Sequence, residues 1–250
     1  MRKTQFLTPE ERERYDRQLI LSGWGEEGQK KLKAATVFIA GAGGLGSAAG
    51  VYLAAAGVGC IRLCDSGKVE LSNLNRQILY SDSDIGEEKV QSAIRTLRRI
   101  NPHVRIVGLK LHIDSSTVAN LVADSDIMVD CLDNFETRYV LNRHAVANSL
   151  PLVHAGVYGM AGQISFLHSP HTPCLRCIFP EPPSKGVFPV VGATAGVIGC
   201  LEAFETLKYL TGLGGLLKNR LLIWEGDLAR FEEVKIGRNL ACPICAKKQG

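Results

Sequence analysis

The sequence predicts an α/β fold: a doubly wound, mostly parallel sheet with a partly antiparallel C-terminal extension. Three observations predict it. Short apolar runs suited to buried strands alternate with helix-like runs over roughly the first 150 residues, the pattern of a parallel sheet with helices on both faces. The first strand–helix pair carries GAGGLG at its junction, where glycines permit a tight turn. The last hundred or so residues lose the alternation, and strands there surround a Pro-rich loop. At 250 residues the chain is long enough for one large core.

The elements run in order along the chain. Thr8-Pro9-Glu10-Glu11 opens a helix, with a Thr cap, Pro at the first position and acids in the first turn. That helix is expected to run to Gly23. Thr36 to Ala40 reads as a strand, Leu45 to Ala56 as an Ala/Gly-rich helix able to lie close to a sheet, and Cys60 to Cys64 as a second strand. An irregular polar stretch, SGKVELSNLNRQILY, comes next. Gly86 to Ile100 is a helix stopped by Asn101-Pro102. Val104 to Leu111 is a strand, Ser116 to Ala123 a short helix, Ile127 to Leu132 a strand, Phe135 to Asn148 a helix and Leu152 to Gly156 a strand. In the extension, Gln163 to His168 is a strand and Ala195 to Leu210 a helix. Arg220 to Trp224 and Phe231 to Ile236 are the last strands. The whole is expected to be one unit: N-terminal helices over 1–33, a core over 34–157, and a crossover loop with further sheet over 158–250.

Composition excludes several classes. Hydrophobic content of 46% and charged content of 22% are ordinary for a globular chain. A net charge of +4 with no Lys/Arg run gives nucleic-acid binding little support. Residues 37–61 carry no charge and are long enough to span a bilayer, but seven of them are glycines and the run resolves into strand, turn and helix. The N-terminus is charged throughout and lacks the apolar core of a signal peptide. No membrane partner and a cytosolic location are expected.

GAGGLG supplies Gly41, Gly43, Gly44 and Gly46 at the start of a helix, where backbone N–H groups can approach phosphate. Asp65 closes the next strand about twenty residues on, the place of an acid that accepts from ribose hydroxyls. NAD and ATP both satisfy this pattern. The residues after Asp65 favour ATP. Ser72, Asn73, Arg76 and Gln77 offer amides and a guanidinium fork, and Lys89 adds an ammonium. These groups suit a triphosphate whose leaving pyrophosphate gathers negative charge. The strand IMVDCLDN ends at Asp133, at the crevice of a parallel sheet, where a carboxylate could hold Mg²⁺ against phosphates. Each residue also has an ordinary reading: Arg76 and Lys89 as solvated surface charges, Asp133 as a helix cap.

The eight cysteines divide evenly. Cys60, Cys64, Cys131 and Cys200 lie in apolar runs and are expected to be buried, inert hydrophobes. Cys174/Cys177 and Cys242/Cys245 form two CxxC pairs with 64 residues between them. Each pair puts two thiolates on one turn, and two pairs make a closed four-thiolate zinc site of structural type. A redox pair would instead need its cysteine at a helix N-terminus.

Taken together, RYDRQ (Arg14 to Gln18), GAGGLG, Asp65, SNLNRQ, Lys89, CLDN and the two CxxC pairs resemble the ubiquitin-activating-enzyme-like adenylyltransferases. The members acting in molybdopterin and thiamine-thiazole biosynthesis are the most similar. The resemblance covers nearly the whole chain and implies a Rossmann-like fold. It implies ATP-dependent adenylation of the C-terminal glycine of a small ubiquitin-like sulfur carrier ending in Gly-Gly. Gly44 would lie against the phosphates and Asp65 would hold the ribose. Asn73, Arg76 and Lys89 would contact ATP, with Ser72, Gln77 and Asn134 beside them. Asp133 would bind Mg²⁺. Arg17 would enter the active site of a second subunit, which implies a homodimer. Arg17, Arg76, Lys89 and Asp133 are thus the expected catalytic set.

One departure stands out. Several sulfur-transferring relatives carry a cysteine in the crossover loop, whereas IFPEPPSKGVFPVVGATAG has none, and Lys185 falls about where it would be. No sulfurtransferase extension is expected after Gly250. Adenylation alone is expected, with another protein supplying sulfur. The alternatives are adenylation of a different carboxylate, an NAD-dependent oxidoreductase, and a non-catalytic zinc-bearing module.

Overall fold

The computed structural model describes residues 6–183, 186 and 188–246. The N-terminal segment is two short helices where one was expected: α1 (Pro9–Arg14) and α2 (Asp16–Leu19), parted at Tyr15. Thr8 caps α1 in a reciprocal box with Glu11. The break has a packing cause. Tyr15 turns inward, where its hydroxyl accepts from Asn101 Nδ2 at 2.8 Å. A Cβ on Gly57 would meet its ring at 2.5 Å. Next comes α3 (Gly25–Ala34), covered in the sequence only by the expected N-terminal helices.

The core then alternates: β1 (Thr36–Ala40), α4 (Gly44–Ala55), β2 (Cys60–Cys64), α5 (Lys89–Ile100), β3 (Arg105–Leu109), α6 (Val118–Val122), β4 (Ile127–Asp130), α7 (Phe135–Asn148) and β5 (Leu152–Tyr158). After it come β6 (Ala161–Leu167), α8 (Leu175–Ile178), α9 (Gly192–Thr211), β7 (Arg220–Glu225) and β8 (Arg230–Lys235). The helix expected from Gly86 starts later, at Lys89. Glu88 is occupied in a bridge with Lys68, and Gly86 takes a φ of +88°.

Among the described residues the strands form one eight-stranded sheet, in the order β3-β2-β1-β4-β5-β6-β7-β8. The first five are parallel, and β6, β7 and β8 add on antiparallel. The doubly wound sheet and its antiparallel extension are as the sequence predicts. Alternation along the strands makes two cores. Val37, Ile39, Ile61, Leu63 and Val129 face α3, α4, α5 and α9. Phe38, Ala40, Met128 and Leu152 face α6, α7 and α8. No helix among the described residues is long and apolar enough to cross a membrane.

The order reverses at β1, whose neighbours are β2 on one side and β4 on the other. That reversal opens a crevice beyond the carboxyl ends of these strands. It places the loops after β1, β2 and β4 side by side. The helix α9 lies over the start of α4 through small residues. A Cβ on Gly199 would fall 2.5 Å from the carbonyl oxygen of Leu45 and 2.9 Å from Ala48 Cβ. Gly199→Ala therefore separates the helices and is expected to cost about 2 kcal/mol, read as a lower denaturation midpoint with an unchanged m-value.

Candidate functional site

The glycine loop is held on both sides of one residue. Ala42 N donates to Asp65 Oδ2 at 2.8 Å, and its carbonyl accepts from Tyr80 O–H at 2.8 Å. The second Asp65 oxygen accepts from Gly67 N at 2.8 Å. Asp65 thus ties the loops after β1 and β2 together, and each of its oxygens keeps acceptor capacity to spare. Tyr80 was not singled out from the sequence. Nothing in the segment RQILY marks it, because its partner, the Ala42 carbonyl, lies 38 residues away. Burial pushes its phenol pKa well up, so it stays a donor.

The four glycines do different things. Gly41 has a φ of +97°, and a Cβ there would lie 2.7 Å from the carbonyl oxygen of Cys131. At Gly46 a Cβ would strike the carbonyl of Gly41, and at Gly44 it would meet Ala195 Cβ at 2.9 Å. Gly44 therefore has a packing reason to be glycine, alongside the expected approach to phosphate. Gly43 is the open one. It is the N-cap of α4, has no side-chain capping bond, and its nearest neighbour in the Cβ direction is Gln77 Nε2 at 3.9 Å. Gln77 is buried, and its Oε1 has no hydrogen-bond partner. The uncapped helix N-terminus offers free N–H donors beside a buried amide with an unpartnered oxygen, polar capacity that the fold itself does not use.

Asn73 closes a short 3₁₀ turn, Leu71–Asn73, in which its Oδ1 accepts from Glu70 N at 3.2 Å. Exposed Ser72 presents its carbonyl to Arg76 Nη1 at 2.9 Å, and Asn75 Oδ1 accepts from the same nitrogen at 3.0 Å. Arg76 and Lys89 make no ion pair among the described residues, although the Asp65 carboxylate and the Lys89 side chain both flank Gly67. Lys89 is the first residue of α5. Asp133 is exposed, and Asn134 Nδ2 approaches its Oδ1 at 3.4 Å. The cap of α7 is Asn134, whose Oδ1 accepts from Thr137 N at 2.9 Å. Asp133 is thereby left with no capping duty. The fold brings Gly43, Asp65, Gln77, Arg76, Lys89 and Asp133 to one end of the sheet. It sets Arg17 apart: its side chain is 90% exposed, with Asp16 Oδ2 at 3.9 Å. The neighbouring residues of RYDRQ turn inward, as Gln18 Nε2 donates to Gln29 Oε1 at 2.8 Å.

The four CxxC sulfurs converge within 4.8 Å of one another and could hold a metal ion. Their separations, 3.9 Å (Cys174 to Cys177), 3.7 Å (Cys174 to Cys242) and 3.3 Å (Cys177 to Cys245), bracket the edge of about 3.8 Å in a zinc tetrathiolate. Burial pushes the Cys242 thiol up, but N–H groups of Cys245 and Ile244 outweigh it and bring it down to about 7. Cys174 does cap a helix, but that helix is a single turn and burial raises its thiol pKa. Cys60, Cys64 and Cys131 are buried as expected. Cys200 is not; it is half-buried, on the side of α9 turned from the sheet, and desolvation still raises its pKa. Lys185 lies outside the described residues.

Sequence reasoning also missed a buried polar group behind the crevice. Asp130 is fully buried at the end of β4. Its Oδ2 lies 2.8 Å from His154 Nδ1 and its Oδ1 3.5 Å from Arg138 Nε. Cys131 Sγ donates to Glu202 Oε2 at 3.5 Å, and burial raises the Glu202 carboxyl well above its usual range. The signals were present, since Asp130 and His154 interrupt apolar strands.

The ThiF family profile matches residues 15–244. The chain belongs to the ThiF family. It is 41% identical to a sulfur carrier protein adenylyltransferase of Thermus thermophilus, over 95% of this chain and 92% of that protein. It is 41% identical to the molybdopterin-synthase adenylyltransferase of Escherichia coli, over 96% of this chain and 99% of the other. The SAMP-activating enzyme E1 of Haloferax volcanii is 40% identical, over 98% and 92%. Among solved structures, E. coli MccB with MccA-N7isoASN superposes with a TM-score of 0.86 at 25% identity, covering 94% of this chain and 75% of that one. MccB with ATP gives a TM-score of 0.80 at 26% identity, over 90% and 70%.

Two outcomes are expected. Tyr80→Phe strips the buried Ala42 carbonyl of its donor and should cost about 1–3 kcal/mol, measured by urea unfolding. His154 is held neutral by burial, which outweighs its bond to Asp130, so its pKa lies below 6.5. The unfolded chain therefore binds the proton first, and stability falls as pH drops from 6.5 toward the folded value. His154→Gln should flatten that part of the stability profile.

Proposed function

We propose that this chain, an adenylyltransferase of the ThiF family, activates the C-terminal glycine of a small ubiquitin-like sulfur carrier ending in Gly-Gly. A carrier carboxylate oxygen attacks the α-phosphorus of ATP. The bond from that phosphorus to the bridging oxygen breaks, leaving the acyl-adenylate and pyrophosphate. A carboxylate is already nucleophilic at pH 7, so the protein supplies positioning and charge neutralisation. One observation supports the reading: Arg76 and Asp133 on neighbouring loops and Lys89 at the first position of α5 stand unpaired by any salt bridge among the described residues, at the end of the sheet that carries an uncapped helix N-terminus.

In this reading the α4 N-terminus and Gly43 take the phosphates, Asp65 the ribose, and Ser72, Asn73 and Gln77 the polar edges of the nucleotide. Arg76 and Lys89 offset the charge growing on the leaving pyrophosphate. Asp133, with Asn134 beside it, would hold Mg²⁺; a lone exposed carboxylate fits an ion that takes its other ligands from phosphates and water. Mg²⁺ would supply further charge neutralisation. The four cysteines would hold a structural zinc, as no ligand position stays open. Arg17 would act across a homodimer, because it is exposed while its neighbours are anchored. The product would feed the biosynthesis of a sulfur-containing cofactor of the molybdopterin, tungstopterin or thiamine-thiazole type, with sulfur from another protein. Such a reaction suits the cytosol.

A second reading has support from the solved structures. MccB, of similar fold, was solved with ATP and with MccA, so the carboxylate could belong to a peptide or metabolite. Dependence of turnover on a folded Gly-Gly protein separates the two.

MgATP is expected to raise the thermal midpoint and NAD to leave it unchanged, with the MgATP shift reduced in Asp133→Ala. Stabilisation by NAD alone would overturn the assignment of the crevice to ATP. Arg17→Ala and Asp133→Ala should each abolish carrier-dependent pyrophosphate exchange while keeping the fold. Mixing the two inactive variants should restore part of it, because a mixed dimer keeps one intact site. Retained turnover in both variants would refute the assignment.

A further inference from the structure

The adenylation chemistry gives Arg138 no task, yet the interior holds it almost fully buried, 6% exposed. Its surroundings say what it does. Strands β4 and β5 pair as far as Asp130 opposite His154, where β4 ends. There the guanidinium takes over from the ladder. Its Nη2 donates to the carbonyl of Leu132, just past β4, and to the carbonyl of Ala155 on β5 at 2.8 Å. Gly156 leaves room for it, since a Cβ there would stand 3.3 Å from Nη1. Asp130 Oδ1, near Arg138 Nε, also accepts from Leu132 N at 3.3 Å. The peptide units on both sides of Leu132 are therefore tied down, and the second leads directly into Asp133.

A further contact reaches this group from the cysteine cluster. Phe179 lies two positions beyond Cys177. Its ring meets His154 at 5.7 Å and Phe135 at 5.3 Å, both edge to face. Phe135 in turn lies under the Arg138 guanidinium at 5.0 Å. The Phe179 carbonyl is fixed by Tyr139 O–H at 2.9 Å.

We propose that Arg138 is the positioning residue for Asp133, closing the gap between β4 and β5 so that the carboxylate is presented to the metal–nucleotide complex, and that Phe179 seats Arg138 from the cysteine-cluster side. This rests on the reading of Asp133 as the magnesium-bearing carboxylate. Residues that orient a metal ligand rather than touch the metal affect affinity through that ligand. The effect of losing Arg138 must then vanish once Asp133 is gone.

The test is a double-mutant cycle on the full-length protein. The readout is Mn²⁺ affinity in the presence of AMPCPP, followed by the electron paramagnetic resonance of free Mn²⁺. Arg138→Gln is expected to weaken Mn²⁺ binding on the order of tenfold. In the Asp133→Ala background the same change should have no further effect. A folded Arg138→Gln protein that binds Mn²⁺ like the parent would overturn the proposal. So would losses that multiply in the double variant, since those belong to a purely structural role. Should Asp133→Ala itself leave Mn²⁺ affinity unchanged, the reading of Asp133 fails and the proposal goes with it. Removing one partner of a buried pair can unfold a protein, so Phe179→Leu, which spares the ion pair, is the second variant. It should weaken Mn²⁺ binding by a smaller factor, again only when Asp133 is present. Unchanged binding or an equal loss in both backgrounds would overturn the part assigned to Phe179.

Discussion

The site depends on how closely α9 can approach α4. At Gly44 and Gly199 the two helices touch without side chains of their own at those positions. That contact brings a segment from beyond the crossover loop onto the loop after β1. It continues at the start of α9, where a Cβ on Gly192 would fall 2.2 Å from the carbonyl of Asn75. The first turn of α9 is thus laid against the segment carrying Asn73, Arg76 and Gln77. Two parts of the chain far apart in sequence are registered by backbone contact, which tolerates less displacement than side-chain packing.

Much of this was legible in the sequence. Strand and helix periodicity, the glycine loop and the acids after β2 and β4 fix the crevice, because a parallel sheet leaves only one end at which those loops can meet. The CxxC spacing was legible for a chemical reason: thiolates on tight turns have few other uses in such a chain. What could not be read were interactions that pair residues across the fold. Nothing local in RQILY says that Tyr80 will meet Ala42, or in FETRYV that Arg138 will turn into the sheet. Local rules also misplace boundaries. The break at Tyr15 and the late start of α5 come from tertiary contacts that override a good helical pattern. Cys200 read as buried because its neighbours are apolar, but the side of α9 away from the sheet is left partly open.

The charges sort by depth. Asp130 and Arg138 are buried, mutually compensating and bonded to backbone, with His154 neutral beside them. Arg17, Arg76, Lys89 and Asp133 lie nearer the surface, and no salt bridge neutralises them among the described residues apart from the distant contact of Arg17 with Asp16. The inner set gives rigidity where strands separate. The outer set is left with its charge unpaired, Arg76, Lys89 and Asp133 at the carboxyl end of the sheet and Arg17 away from it. The proposed adenylation draws on both, as a charge stabilises a transition state best when it does not have to reorganise.

The buried pair also bears on how such a chain can change over time. Loss of Arg138 strands a carboxylate in the interior, and loss of Asp130 strands a cation, so either step alone is penalised. Replacing both with apolar residues would be acceptable to the core, but would leave the Leu132 and Ala155 carbonyls without a donor. Drift at these two positions is therefore penalised one substitution at a time. In this chain the two residues are expected to change together or not at all.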